Sequence, residues 1–106
     1  MSKHKHNAKR PLSRAAKYEL IDLAGTRCMY CGEDVGDEIT WHHIRPRSEG
    51  GEDTFANSSL LCKKCHQFTH TFMSDSTEYR FITSVILQNK AKFLREKTEN
   101  ARKKRG

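Results

Sequence analysis

Four cysteines are the residues of this sequence whose spacing most directly indicates chemistry. They form two Cys-x-x-Cys pairs, Cys28 with Cys31 and Cys62 with Cys65, separated by thirty residues. Two such pairs on tight turns can direct four thiolates at one ion, which suits tetrahedral zinc. Disulfides or a redox-active pair are the alternatives, but either would make the twin spacing a coincidence. We therefore predict a structural zinc site without an open coordination position.

A second candidate site lies between the cysteine pairs, in the stretch "WHHIRPRSEGG", residues 41–51. Its adjacent histidines, His42 and His43, carry imidazoles that can bind a metal ion or take a proton near neutral pH. Neighbouring residues of a strand point to opposite faces, so the two rings can do different jobs only if they diverge. Taken alone, either residue would more often be a surface or packing histidine.

Basic residues are concentrated at the two ends of the chain. Residues 1–17 contain six Lys/Arg and no acid, and residues 90–105 contain eight Lys/Arg against two Glu, within a net charge of +7. Such ends suit phosphate backbones, although charged tails can also simply keep a small protein soluble. The sequence has neither a hydrophobic run of the roughly 18 residues that span a membrane nor a hydrophobic segment near its start. We therefore expect a reducing cytoplasmic environment and no membrane partner.

The pattern of apolar residues and turn signals predicts the elements that must position these side chains. After a disordered basic tail over residues 1–12, we predict a helix over residues 14–24 with Ser13 as N-cap and Gly25 at its end. A strand follows over residues 38–44, then a loop that could include a short second strand. A second helix begins around residues 61–64. A third has apolar residues at helical spacing and ends in a basic tail, residues 96–106: Ile82, Val85, Ile86 and Phe93.

From His42 onward, the stretch "HHIRPRSEGGEDTFANSSLLCKKCH" resembles the HNH nuclease family. His43, Asn57 and His66 fall where the three residues that name the family fall. Other positions of the family motif match as well: Pro46, Gly50, Gly51, Leu61 and the four cysteines. The resemblance implies a small α+β fold, in which a ββα-metal finger is stapled by the four-cysteine zinc and flanked by an N-terminal and a C-terminal helix. The nuclease domain would cover residues 13–95, with its motif core at 28–72.

The resemblance also implies an endonuclease that hydrolyses DNA phosphodiester bonds and leaves 3′-hydroxyl and 5′-phosphate ends. His43 would be the general base, Asn57 would orient the loop, and His42 and His66 would hold a divalent metal. Many family members carry an acid where this chain has His42. An imidazole favours Zn²⁺, Ni²⁺ or Mn²⁺ over Mg²⁺, so the identity of the catalytic metal stays open. His70, one helical turn after His66, could share or replace it as a ligand.

Several alternatives stay open at this level. Arg45 and Arg47 would contact phosphates beside such a site, or they could be solvated loop charges. A non-catalytic zinc-finger module that binds DNA is the rival reading, and RNA is an alternative substrate. Small HNH proteins are common in bacteria and phages, and some work with a phage terminase, so such a partner and a bacterial or phage-infected cell are expectations from the resemblance. The oligomeric state is not specified.

Overall fold

The first helix positions the outer wall of the core and begins where its capping residue predicts. The computed structural model describes residues 13–105 of the chain, and its side chains through residue 102; the predicted tail at 1–12 lies outside this range. Helix α1 covers Arg14–Ala24, with the Ser13 hydroxyl accepting from the Ala16 N–H at 3.2 Å. Gly25 ends it with a φ of 67°, a conformation that favours glycine.

Two short strands form an antiparallel hairpin. Strand β1 covers Ile39–His43 and strand β2 covers Ser58–Cys62, paired so that Ile39 faces Cys62 and His43 faces Ser58. The expected strand at 38–44 is confirmed. The second strand extends through Cys62, because the consecutive residues of β2 are all buried and pair with β1 to the end.

Helix α2 follows β2 without a connecting loop and covers Lys63–His70. Its N-cap is Cys62, whose sulfur accepts from the Cys65 N–H at 3.5 Å. A candidate metal ligand therefore also stabilises the start of the helix. Strand, strand and helix occur in the order of a ββα finger, which confirms the predicted fold.

Helix α3 covers Thr77–Arg105 and packs against both the finger and α1. Its buried residues Ile82, Ile86 and Phe93 confirm the expected apolar face, and Val85 is half-buried. The segment that the sequence set apart as a basic tail, residues 96–106, is helical through Arg105. Helix propensity of Lys, Arg, Glu and Ala explains why this charged stretch continues the helix.

Two buried side chains of α3 anchor the catalytic end of the hairpin. The Tyr79 hydroxyl donates to the carbonyl of Ile44 at 2.9 Å. The Lys90 ammonium donates to the carbonyls of Phe55 and, at 2.7 Å, of Ser58. The third helix therefore fixes the ends of both strands where the candidate site begins.

The core lies between the hairpin and the two flanking helices. Trp41 is half-buried against this core, as expected from its place on the strand, and the Lys17 ammonium lies 5.0 Å from its ring centroid. Among the helices between residues 13 and 105, none combines the length and apolar character needed to cross a membrane. The residues with the largest fully buried side chains are Leu20, Met29, Leu60, Leu61 and Ile86.

Candidate metal centres and active site

The two cysteine pairs meet at one point, although thirty residues separate them in the chain. All four thiols are free, and their sulfurs lie within 4.8 Å of one another. The sulfurs of Cys31 and Cys62 are 3.9 Å apart. That distance is far too long for a disulfide, and sulfurs on a tetrahedral zinc with bonds of about 2.3 Å would lie about 3.8 Å apart. The cluster therefore fits a metal ion of the size and preference of zinc.

Local hydrogen bonds prepare the first cysteine of this cluster as a thiolate. Burial of Cys28 raises the pKa of its thiol, but backbone N–H donors outweigh burial and lower that pKa below its ordinary value. The N–H groups of Tyr30 and Cys31 both lie 3.4 Å from the Cys28 sulfur. Burial and the neighbouring Cys62 thiol instead raise the pKa of Cys65. A bound cation is what would allow all four thiols to ionise together.

Three histidines form a second cluster on the other side of helix α2. His42, His66 and His70 each offer a ring nitrogen within 4.8 Å of the others. The ring centroids of His42 and His66 are 5.2 Å apart, and those of His66 and His70 are 4.8 Å apart. His66 follows Cys65 directly, and a step of one residue turns a side chain by about 100° around a helix. The two residues can therefore serve different clusters.

His70 joins this cluster instead of replacing His66. The two histidines are four residues apart on α2, which places them on the same helix face. His42 lies beside both rings, 6.2 Å from the centroid of His70. The question that the sequence left open therefore has the answer that all three imidazoles converge.

Thr40 determines which nitrogen of His66 is free. The Thr40 hydroxyl donates its single hydrogen to the carbonyl of Leu61 at 2.6 Å. Toward Nδ1 of His66, 2.8 Å away, that hydroxyl can therefore only accept. The Nδ1 atom of His66 then carries the hydrogen, and Nε2 keeps the lone pair that a metal needs. A hydrogen bond of this kind is how proteins commonly orient metal-binding imidazoles.

His42 is the most buried member of the histidine cluster and is held neutral. Burial, followed by the proximity of His66 and His70, lowers the pKa of His42 to about 3. Burial likewise lowers the pKa of His66. The Nε2 atom of His42 is buried without a hydrogen-bond partner among the described residues. An unpaired buried nitrogen is costly, and a metal ion in the cluster would satisfy it.

His43 diverges from His42, as adjacent strand residues must. Its Nε2 atom lies 2.7 Å from a carboxylate oxygen of Asp53, and Arg47 contacts the other oxygen of that carboxylate. Burial of Asp53 opposes ionisation, but the contacts from Arg47 and His43 outweigh it and lower the pKa of the carboxyl. His43 therefore has an ionised partner that the sequence analysis did not identify. A conspicuous acid after the Gly-Gly turn was the available signal, but its partner could not be read from spacing.

Asn57 fixes the loop between the strands. Its side-chain oxygen accepts from the Arg45 N–H at 2.9 Å. Its amide group donates to the carbonyls of Arg45 at 3.1 Å and Glu52 at 3.0 Å. Gly51 lies in this turn, and a Cβ atom there would be 1.7 Å from the Arg45 carbonyl oxygen. The close approach of two backbone segments therefore requires glycine at this position.

His42, His43, His66 and His70 all line one cleft of about 480 Å³, and Tyr79 of α3 lines it as well. Arg47 lies on its wall, paired with Asp53. Arg45 is exposed in the neighbouring turn, where its Nε–H donates to the Glu49 carbonyl at 2.9 Å. Both arginines thus lie near the cleft, and Arg47 already has an acidic partner.

Comparisons with known proteins identify the family of this arrangement. The family model described as HNH endonuclease matches residues 28–72. That span includes both cysteine pairs and all three clustered histidines. The chain is similar to the uncharacterized protein YisB of Bacillus subtilis (strain 168), with 32% identity over 95 residues. The match covers 74% of this chain and 91% of that relative.

The family implies a nucleic-acid substrate and a function of the nuclease type. The two-strand hairpin, the following helix and the two clusters of metal-binding side chains agree with this assignment. This chain belongs to the HNH endonuclease family.

Proposed function

We propose that this protein is a metal-dependent endonuclease that hydrolyses DNA phosphodiester bonds with His43 as its general base. The observation that carries the proposal is the divergence of the adjacent histidines. His42 joins two other imidazoles that can hold a metal, while His43 lines the same cleft but keeps its ring out of that cluster. A metal-binding group and a base facing one cleft are what phosphodiester hydrolysis requires.

His42, His66 and His70 would hold the divalent ion, and their neutral imidazoles favour Zn²⁺, Ni²⁺ or Mn²⁺ over Mg²⁺. When bound, the ion supplies positive charge for the phosphate and for the leaving 3′ oxygen. His43 takes a proton from the attacking water as the new P–O bond forms. The P–O3′ bond breaks and the 3′ oxygen takes up a proton, which leaves 3′-hydroxyl and 5′-phosphate ends.

The four cysteines would hold a structural zinc ion that has no part in the reaction. Their position joins the start of α2 to the loop after α1, so this ion would stabilise the finger from outside the cleft. The occurrence of four free thiols in one cluster supports the cytoplasmic compartment expected from the sequence.

Asn57 acts through the loop, and Arg45 supplies an exposed positive charge beside the cleft for the DNA backbone. Arg47 would reach a phosphate only by sharing its guanidinium with Asp53. DNA as substrate is supported by the basic charge of the chain and by the family. A terminase partner stays a prediction from the sequence resemblance.

A nicking assay on supercoiled plasmid tests the proposal with Mg²⁺, Mn²⁺, Ni²⁺ and Zn²⁺ in parallel. We expect cleavage by the wild type in at least one metal and a loss of about 10²- to 10⁴-fold in His43→Ala, the usual contribution of a general base. The control is Ser48→Ala, which removes an exposed polar side chain from the same cleft and should leave the rate unchanged.

The substrates and the variants separate the competing functions. Binding of DNA without cleavage in any metal, by wild type and His43→Ala alike, would identify a non-catalytic nucleic-acid-binding module. Cleavage of RNA but not of supercoiled, linear or single-stranded DNA would replace the substrate and keep the mechanism.

A further inference from the structure

We propose that Asp53 is a positioning residue that orients His43 and fixes which of its ring nitrogens accepts the proton. This inference rests on the proposed function of His43 as the base. The Asp53 carboxylate lies 2.7 Å from Nε2 of His43, and its other oxygen contacts Arg47. The three side chains form a chain along the edge of the cleft, from Arg47 through Asp53 to His43.

The bookkeeping of hydrogens in this chain gives the tautomer of His43. Arg47 can only donate, and an ionised carboxylate can only accept. The pKa of Asp53 is lowered because the contacts from Arg47 and His43 outweigh its burial, so the carboxyl is ionised near neutral pH. Its contact with His43 therefore requires a hydrogen on Nε2. In the neutral ring, Nδ1 is then the nitrogen with the lone pair, and it is the atom that accepts the proton of water.

The arrangement is partly shielded from solvent, which strengthens its effect. The side chains of Arg47, His43 and Asp53 are 17%, 20% and 21% exposed. A charge-assisted hydrogen bond in such a setting holds an imidazole more firmly than an exposed contact does. The ionised carboxylate also stabilises the ring when it becomes positively charged after taking the proton.

Asn57 reaches His43 through this same carboxylate. Its amide group donates to the carbonyl of Glu52, the residue immediately before Asp53. The same amide donates to the carbonyl of Arg45, two residues after His43. The asparagine therefore sets the distance between the strand that carries His43 and the loop that carries Asp53. This gives Asn57 a physical connection to the base without direct contact with its ring.

The main test compares Asp53→Asn with Glu52→Gln in the full-length protein, using plasmid nicking at saturating Mn²⁺. Both variants remove one acidic charge from adjacent residues. Glu52 is exposed and enters the loop's hydrogen bonds through its backbone carbonyl. We expect Asp53→Asn to lower kcat by about 10- to 100-fold, the usual cost of losing a group that orients a catalytic side chain. KM should change by less than about twofold in both variants, and Glu52→Gln should keep the wild-type kcat.

A second measurement does not depend on how well the variants fold. Nitrogen NMR of the wild-type protein with bound Zn²⁺, at a pH where the imidazole is neutral, reports which nitrogen of His43 carries the hydrogen. We expect the Nε2–H form in the wild type, and a mixture of both forms in Asp53→Asn.

The possible results separate this inference from the proposed function. A wild-type His43 with its hydrogen on Nδ1 would overturn the role of Asp53. So would a kcat of Asp53→Asn within about twofold of the wild type while His43→Ala is inactive. In either case the proposed general base would stand. If His43→Ala itself cleaves as fast as the wild type, the proposed function fails first.

Discussion

The cysteine cluster and the histidine cluster are built by neighbouring residues, yet they are suited to opposite tasks. The sulfur cluster offers four protein ligands, three of them buried, which completes the coordination of zinc. The histidine cluster offers three ligands and opens on a cleft of about 480 Å³. Three protein ligands leave room for water or substrate on the ion. Comparison of the two teaches that ligand number and access, more than residue chemistry alone, divide a structural site from a working one.

The two clusters share one piece of scaffold. Cys62 ends β2 and caps α2, and Cys65 and His66 are consecutive residues of that helix. The helix turn directs one side chain to each cluster. Any change in the sulfur cluster should therefore also displace the histidines, whereas a change in the histidine cluster can leave the sulfur cluster intact. The following predictions test this asymmetry.

The largest effect is expected from Cys62→Ser. This change removes one buried zinc ligand, and binding of a structural zinc commonly contributes about 10–16 kcal/mol to folding. Such a loss exceeds the total stability of about 5–15 kcal/mol that is usual for a domain of this kind. We expect the variant to lose its cooperative thermal transition, measured by circular dichroism with added zinc. A normal melt for Cys62→Ser would contradict a structural role of the sulfur cluster.

Removal of metal should separate the clusters in two steps. Three exposed or partly exposed imidazoles release an ion more readily than four thiolates do. Titration with a chelator should abolish nicking at a concentration that leaves the thermal transition unchanged, and unfolding should require more chelator. Simultaneous loss of activity and structure would mean that the two clusters are not independent.

His66→Ala should inactivate the protein without unfolding it. His66 is half-buried and oriented by Thr40, whereas His70 is exposed at the end of α2. We expect the metal affinity of the histidine cluster to fall by more than the roughly 10- to 100-fold typical of changes outside the ligand set. His70→Ala should have the smaller effect of the two. Isothermal titration with Mn²⁺ or Ni²⁺ measures both, and a larger loss in His70→Ala would reverse the order of importance.

Thr40→Val should have the smallest effect. It keeps the shape of the side chain but removes the hydroxyl that accepts from Nδ1 of His66. We expect about tenfold weaker metal binding at the histidine cluster, and a loss of about 1 kcal/mol of stability because the hydroxyl also donates to Leu61. Zinc content at the cysteines should stay the same. Unchanged affinity would show that packing alone orients His66.

Local patterns were sufficient to predict most elements of the fold. The cap at Ser13 and the glycine at Gly25 gave both ends of α1, and helical spacing gave the buried face of α3. The predicted end of α3 at residue 95 was too early. A charged stretch lacks the apolar signal that marks a packed helix, although its propensity allows the helix to continue through Arg105. The bounds of the nuclease domain stay a prediction.

The sequence by itself determined the ligand inventory: two cysteine pairs, adjacent histidines, and one further histidine next to a cysteine. Ligand type and local spacing are enough for this, because they decide what a segment can bind. Only the tertiary structure decided that His70 joins His42 and His66, that Thr40 orients His66, and that Asp53 partners His43. These contacts join segments distant in the chain, and their geometry depends on how the hairpin, its loop and the helices pack together.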